Sequence, residues 1–412
     1  MGLKEDAINL HRMLRGKIEI HNRVSVDSIF EEEKGTLGLI YTPGVAYVSR
    51  EISGNKELAY EYTSKWNNVA IICDGTRVLG LGNVGPEAAI PVMEGKSVLF
   101  KSLADINAIP LCIATQDKQE IIRIAKAIQP GFGAVNIEDI ESPKVLEIVE
   151  ALKEELDIPV FHDDQHGTAV ITLAALVNAL DLTGKKMDRI KVIIAGAGSA
   201  GYGIYRILEQ AGCRDIIVAD SKGAIYEGRA DIVSSSNDEG SKNKYRQEIA
   251  KRTNADKVSG SIKEVIKGAD LFIGVSGRGN IVSRDMVRTM NKDAIVFALS
   301  NPDPEVLPPD ALAAGARIAA TGRSDFANQI NNAVVFPSVL RALLDLHARY
   351  LDEDMLVAVA FAIASLVDRK HLTESFIIPK VNDPRILPVV TQTLRDAVMK
   401  HIDAKGQVMS QQ

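Results

Sequence analysis

Cysteine is scarce in this sequence. The three residues present, Cys73, Cys112 and Cys213, are widely spaced and form no CxxC pair. Such usage argues against a disulfide framework and for a reducing compartment. No long basic run occurs and the net charge is −6, so the electrostatic footprint of a nucleic-acid binder is missing. The stretch Met1–Arg15 is charged and lacks the apolar segment of a signal peptide. The longest apolar run, Met355–Val367, is too short for a membrane span and reads as a buried helix. Internal repeats and low-complexity segments are absent as well. These absences predict a cytoplasmic protein with neither a membrane nor a nucleic acid as partner.

What is present is the composition of an ordinary globular protein, 46% hydrophobic and 25% charged. A chain of 412 residues should divide into two or three domains. Ala7–Ile20 suggests a short helix and turn. In Tyr41-Thr42-Pro43-Gly44 the Pro-Gly pair forces a turn, which holds Tyr41 on a stiff corner, either as a packing residue or as a proton donor. The apolar run Val69–Cys73 reads as a strand leading into Asp74-Gly75-Thr76-Arg77 and the glycine-dense Gly80–Pro86 loop. Arg77 is either a solvated turn residue or a two-pronged grip for a carboxylate. Lys96, beside apolar residues on an expected helix, is either a surface cation or a desolvated lysine of lowered pKa that can serve as a base.

Leu111–Ala114 and Gly133–Ile137 read as strands, with a helix expected over Lys118–Ile128. The second strand ends in Glu138-Asp139. Another short apolar run, Ile158–Phe161, ends in His162-Asp163-Asp164 before a helix-like segment over Ala169–Leu180. Asp164 or Thr168 could simply cap that helix. If the two strand ends converge, their acids would instead make a hard-oxygen site suited to Mg²⁺ or Mn²⁺.

The strongest local motif follows. A buried-strand pattern, Ile190–Ala195, runs into Gly196-Ala197-Gly198-Ser199-Ala200-Gly201 and a helix through Leu208. A second strand, Asp215–Ala219, ends at Asp220, about 20 residues past the glycine loop, as a dinucleotide-binding unit requires. The glycines let backbone approach a pyrophosphate seated on the helix N-terminus. Asp220 suits the ribose hydroxyls of NAD, while the adjacent Ser221 and Lys222 suit the 2′-phosphate of NADP. Further strand-like runs end at Ser276 and at Asn301, where loops would line a cofactor cleft.

Taken together, Tyr41–Ala46, Asp74–Asn83, Glu94-Gly95-Lys96, Asn136–Ile140 and Phe161–Thr168 resemble the malic enzyme family in its short prokaryotic-type form, from about Ala7 to about Asp396. The resemblance is to the form expected to be without the phosphotransacetylase-like extension of larger bacterial relatives. The resemblance implies an α/β fold: an N-terminal substrate domain over residues 1–162, rejoined by closing helices over 331–412, and a doubly wound Rossmann-type domain over 163–330. It implies oxidative decarboxylation of (S)-malate to pyruvate and CO₂ with reduction of NAD or NADP, dependence on Mg²⁺ or Mn²⁺, decarboxylation of oxaloacetate, and a homodimer.

The family pattern carries over to named residues. Tyr41 takes the place of the general acid and Lys96 that of the general base, with Asp163 beside Lys96. Glu138, Asp139 and Asp164 take the places of the metal ligands. Arg77 matches the malate-binding arginine of larger family members. Asn301, Asn331 and Asn332 match substrate and nicotinamide contacts, with Gly196, Gly198, Ser199, Ala200, Gly201, Asp220 and Ser276 on the coenzyme. His162 and His166 have no role in the pattern. Ser338 and Ala342 stand where the family usually has glycine. The competing readings are a malolactic-type enzyme, which gives lactate, and a nucleotide-binding module without turnover.

Overall fold

The structure, a computed structural model, describes residues 3–14, 16–24, 36–233 and 240–409, with the side chains of 240–243 and 401–409 outside the description. Two parallel sheets organise it. The first comprises β1 (Asn68–Cys73), β2 (Asn107–Cys112), β3 (Ala134–Ile137) and β4 (Val160–His162) in the order β2-β1-β3-β4. Central strands such as β1 read as unbroken apolar runs because helices cover both faces of a parallel sheet. The strand expected at Leu111–Ala114 begins earlier, at Asn107, and contains Pro110. An edge strand tolerates a residue that cannot donate to the ladder, and β2 is an edge.

The longer helices of this half are α1 (Leu3–Leu14), α2 (Val45–Gly54), α3 (Pro86–Ala104), α4 (Lys118–Ile128) and α5 (Lys144–Glu155). Helix α4 spans the residues expected from sequence. Asp117 caps it by accepting from the Glu120 N–H at 2.8 Å, and Ile121, Ile122 and Ala125 form its buried face.

The second sheet comprises β5 (Lys191–Ala195), β6 (Asp215–Asp220), β7 (Gly223–Ala224), β8 (Leu271–Gly274), β9 (Ile295–Ala298) and β10 (Ile318–Thr321). Its order is β10-β9-β8-β5-β6-β7, parallel except for β7. The chain leaves β5 toward β6 on one side and returns to pair β8 on the other. That reversal leaves a crevice beyond the strand ends, where doubly wound sheets bind ligands.

Between the sheets runs α6 (Thr168–Thr183), preceded without a break by one π-helical turn, Asp163–Gly167. Among the described residues, the continuous helix Asp163–Thr183 alone is long and apolar enough to cross a membrane. Within the protein, 72% of its apolar window is buried. The apolar stretch singled out in the sequence, Met355–Val367, is the buried helix expected of it: Glu353–Ser365 is helical, with Met355, Leu356, Val359, Ala360, Ile363 and Ala364 buried. Helix α6 packs on α7 (Ser199–Gln210) and on α10 (Glu353–Ser365). Beyond α8 (Gly240–Arg252), the chain closes with α9 (Phe336–Asp345), α10 and α11 (Ile386–Met409). Helix α9 returns to pack on α3 and β3 of the first half. One core therefore runs from the first sheet through α6 into the closing helices, while a smaller one fills the far face of the second sheet.

At the two positions where the expected glycine gives way, the helix accommodates the larger residue. Ser338 is buried and its hydroxyl donates to the Val335 carbonyl at 3.0 Å, and Ala342 is fully buried on α9.

Candidate active site

A cleft of about 1430 Å³ lies between the C-terminal ends of the two sheets. Three strands of the first sheet deliver their chemistry at that end. Thr76 and Arg77 follow β1, Glu138 and Asp139 follow β3, and Asp163 and Asp164 follow β4. Lys96 enters from the middle of α3.

Lys96 is the point of convergence. Its ammonium donates to Glu138 Oε1 at 2.5 Å and to Asp163 Oδ2, bringing together residues 42 and 67 positions away in sequence. Asn332 donates to the same Asp163 oxygen at 2.6 Å, and Asn136 donates to Glu138 Oε2 at 3.0 Å. The ammonium also stands 4.7 Å from the centre of the Phe336 ring. Burial alone would lower Lys96, but the Asp163 and Glu138 carboxylates outweigh it and hold the ammonium above the usual lysine range. The expectation of a lysine lowered by desolvation is thus corrected: in this state Lys96 is a paired cation.

Carboxylates outnumber cations here. Burial pushes Asp139 up to about 8, with the Glu138 and Asp164 charges adding to the push. Burial likewise raises Glu138, Asp163 and Asp164, against which Lys96 pulls all three back. Two buried oxygens, Asp139 Oδ2 and Asp163 Oδ1, have no hydrogen-bond partner. Orphaned buried carboxylate oxygens under mutual repulsion are what a hard divalent cation relieves, so the donor chemistry fits Mg²⁺ or Mn²⁺. The cage is not closed, however: among the described residues no three His, Cys, Asp or Glu side chains stand in metal-holding geometry.

The π-helical turn accounts for how Asp163 and Asp164 are presented. Such turns widen a helix locally and recur at functional sites. Gly167 belongs to it because a Cβ there would collide with the Asp163 carboxylate. No side chain caps the helix, so the capping expected of Asp164 or Thr168 is absent. The two histidines turn inward. His166 Nδ1 accepts from the His162 N–H at 3.1 Å, and its Nε2 lies 3.2 Å from Lys153 Nζ. Burial lowers His162 to about 4 and His166 well below its ordinary value, so both are neutral packing groups.

The remaining residues divide into those that line the cleft and those that do not. Arg77 is exposed on the cleft wall, near enough to Asp164 to pull its carboxyl down against burial. Asn301, Asn331 and Asn332 line the cleft, although Asn331 uses its side-chain oxygen to accept from the Ala333 N–H at 2.8 Å. Tyr41 is different. It sits on an exposed turn, is 68% exposed, and is not among the residues lining the cleft.

At the other end, Gly196, Gly198, Ser199 and Ala200 line the crevice where β5 passes into α7. Gly196 has φ +125°, and a Cβ on it would strike the Val275 backbone. Gly201 packs so closely over Gly196 that no Cβ fits between helix and loop. Ser276 lines the crevice, with its hydroxyl donating to Glu305 Oε1 at 2.7 Å.

Sequence reasoning missed three residues. Asn136, a polar residue inside an apolar strand, carried a readable signal. Glu305 carried none: it is fully buried and accepts from the backbone and hydroxyls of both Ser276 and Ser300, knotting the loops after β8 and β9. Arg229 is the third, with both Asp220 carboxylate oxygens bonded to its guanidinium.

Comparison with known proteins identifies the family. The family "Malic enzyme, N-terminal domain" matches residues 19–121, and "Malic enzyme, NAD binding domain" matches residues 165–400. The chain is 48% identical over 400 residues to a bifunctional malic/malolactic enzyme of Bacillus subtilis, covering 97% of this chain and 94% of the relative. It is 48% identical over 385 residues to an NAD-dependent malic enzyme of Geobacillus stearothermophilus, covering 93% and 77% respectively. The crystal structure of an NAD-dependent malic enzyme from Thermotoga maritima superposes with a TM-score of 0.87 at 42% identity, covering 94% of this chain and 98% of that one. Lysine, acids and glycine loop thus stand in one cleft, on a fold that relatives share over nearly their whole length, and the chain belongs to the malic enzyme family.

Proposed function

We propose that this enzyme oxidatively decarboxylates (S)-malate to pyruvate and CO₂, reducing NAD or NADP, with Mg²⁺ or Mn²⁺ as the metal. The observation that carries the reading is Lys96 bonded to Glu138 and Asp163 in the cleft that also holds the Gly196–Gly201 loop.

Arg77 and Asn331 are placed to receive the malate carboxylates, Arg77 through its two-pronged guanidinium. Glu138, Asp139 and Asp164 are the residues that would hold the cation, and the glycine loop would hold the coenzyme pyrophosphate. Bound there, the coenzyme supplies a hydride acceptor and the cation a Lewis acid. Lys96 takes the proton from the malate C2 hydroxyl, for which its ammonium must first pass a proton to a neighbour, and Asp163 Oδ2 is in contact to receive it. Asn332 holds Asp163 in place for that exchange. Phe336 and the closing helices keep water from the base. Tyr41 is the proton donor to C3. For that role its turn must close over the cleft or belong to a partner's cleft.

The enzyme works as a homodimer in the cytoplasm. Exposed apolar side chains of the N-terminal segment, Leu39 at 70% and Tyr47 at 66% beside Tyr41, support a second copy covering this face. Residues 1–162 with 331–412 form the substrate domain and 163–330 the coenzyme domain, and the return of α9 to α3 supports that division. Decarboxylation of added oxaloacetate uses the same acids without the hydride step.

The test is malate oxidation with NAD and NADP in parallel, with and without EDTA, while pyruvate and lactate are measured. Reduced coenzyme with matching pyruvate, abolished by EDTA, is the expected result. Lactate without net reduced coenzyme would replace this reading with the malolactic one, which the name of the Bacillus subtilis relative favours as the second possibility.

A further inference from the structure

We propose that Asp74 and Thr76, anchored by Lys144, are positioning residues that set the backbone carrying Arg77 and Asp139, and through it the grip on malate and the cation. The inference deepens the function proposed above and rests on it. Neither Asp74 nor Lys144 is among the residues lining the cleft, so both act through others.

Asp74 follows β1 directly and is fully buried. A carboxylate in such a place is tolerated only when its oxygens are bonded, and both are. Oδ1 accepts from the Thr76 N–H at 3.0 Å and from the Thr76 hydroxyl at 2.6 Å. A side chain bonded to the backbone two residues on fixes a tight turn, and Arg77 is the next residue out of it. Oδ2 accepts from the Lys144 ammonium at 2.7 Å, and the same ammonium donates to the Gln116 carbonyl at 3.1 Å. Lys144 opens α5, so one cation ties the chain leaving β1 to the chain leaving β2 and to the helix after β3.

What this turn holds is the loop that follows β3. Thr76 donates its hydroxyl hydrogen to Asp74, while the hydroxyl oxygen accepts from the Glu141 N–H at 2.8 Å. One residue further, the Arg77 N–H donates to the Asp139 carbonyl at 3.1 Å. The dipeptide Thr76-Arg77 thus grips both sides of Asp139-Ile140-Glu141. That grip falls where the backbone needs it, because Asp139 has φ +48°, a left-handed conformation that costs a residue with a Cβ. Asp139 Oδ2 is buried without a partner, so the backbone beneath it, rather than a bond of its own, keeps that oxygen in place.

A network that only strengthened the fold could join any two loops. This one ends on the backbone of two cleft residues, Arg77 and Asp139, which come from different strands of the first sheet. The Gly196–Gly201 loop is carried by the other sheet, after β5. Loss of the grip therefore moves a cation ligand and a carboxylate-binding guanidinium together and leaves the coenzyme loop in place.

The experiment is calorimetric titration of the full-length enzyme with Mn²⁺, in the absence of malate and coenzyme, for wild type, Thr76→Val, Thr76→Ser and Asp74→Asn. Malate KM and the affinity for NADH and NADPH, by fluorescence, are measured beside it. Thr76→Val keeps the shape of the side chain and deletes both hydroxyl bonds. Its Mn²⁺ affinity is expected to fall at least about tenfold, with malate KM rising by a similar factor, the range for a lost partner of a metal ligand. Thr76→Ser, which keeps the hydroxyl, should restore most of that affinity. Reduced coenzyme should bind every variant as it binds wild type. Asp74→Asn leaves Lys144 without a carboxylate and should follow Thr76→Val; should it not fold, Thr76→Val decides alone. Mn²⁺ affinity unchanged in Thr76→Val would overturn the proposal. So would a loss of coenzyme affinity as large as the loss of Mn²⁺ affinity, which is what a merely structural residue gives. Wild type that binds no Mn²⁺ would remove the metal reading above and this inference with it. Wild type that binds Mn²⁺ no better than Thr76→Val removes the inference alone.

Discussion

The two ends of the cleft both bury carboxylates, and they treat them in opposite ways. At the lysine end, Glu138, Asp139, Asp163 and Asp164 gather around a single ammonium, two oxygens lack partners, and the carboxyls are pushed up in pKa. At the coenzyme end, Asp220 and Asp231 share Arg229, and Lys222 and Arg246 approach as well. Burial would raise Asp231, yet bonds from Lys222 and Arg229 outweigh it and hold the carboxyl below the usual range. An unbalanced buried charge marks a place that awaits an ion. A balanced one marks a place where the protein has already supplied the ion.

The largest effect should come from emptying the crowded end of its ammonium. Lys96→Ala is expected to lower malate turnover by at least about 10³-fold, the range of a lost general base, while coenzyme affinity measured by fluorescence stays near wild type. Turnover retained within an order of magnitude would remove Lys96 from the base role. At the balanced end, Arg229→Ala leaves two carboxylates without their shared guanidinium. Loss of about 3–5 kcal/mol of stability by urea unfolding is expected. A loss below about 1 kcal/mol would mean that water can replace the arginine, and the contrast between the ends would weaken.

Smaller shifts sharpen the comparison. Adding Mn²⁺ after EDTA treatment should raise the melting temperature, by about 2.7 kcal/mol of added stability at a hundredfold excess over Kd. Because Asp139 is pushed up to about 8, the cation must displace a proton, so the shift should be larger at pH 8.5 than at pH 6.5. Asp164→Asn should diminish it, and an unchanged shift would place the metal elsewhere. The smallest effect is expected for Asp231→Asn, about 1 kcal/mol at neutral pH. A depressed carboxyl stabilises the fold above its unfolded pKa and stops doing so as pH falls through its folded value. The gap between variant and wild type should therefore close below the usual aspartate range, as followed by chemical unfolding from pH 7 to pH 3.

The parts of this molecule that could be read from sequence are those whose chemistry is local. The apolar run of β5, the glycines after it and the acid ending β6 lie within a short stretch, and their spacing alone places them. Helix α4 spans the residues, Lys118–Ile128, that its local sequence predicted. What could not be read depends on charges brought from afar. The direction of the Lys96 pKa reversed because Glu138 and Asp163 arrive from the ends of two strands remote in sequence, and Asp220 changed its meaning because Arg229 folds back over it from nine positions on. Tyr41 was legible as a residue on a turn but not in its position, since nothing near it in sequence says which surface that turn will face.

The π-helical turn over Asp163–Gly167 has a consequence of another kind. Such a turn is an α-helix carrying one surplus residue. Its effect is to offset the angular phase of the segment before it against the helix that follows. Helix α6 is buried over most of its length and cannot rotate to compensate. Removing a single residue from the turn would thus carry Asp163 and Asp164 about 100° around the helix axis with no side chain altered. The acid that meets Lys96 and the acid that faces Arg77 are told apart by arithmetic along the backbone. A change in length here is therefore a change in chemistry, whereas a surface loop of the same protein absorbs it.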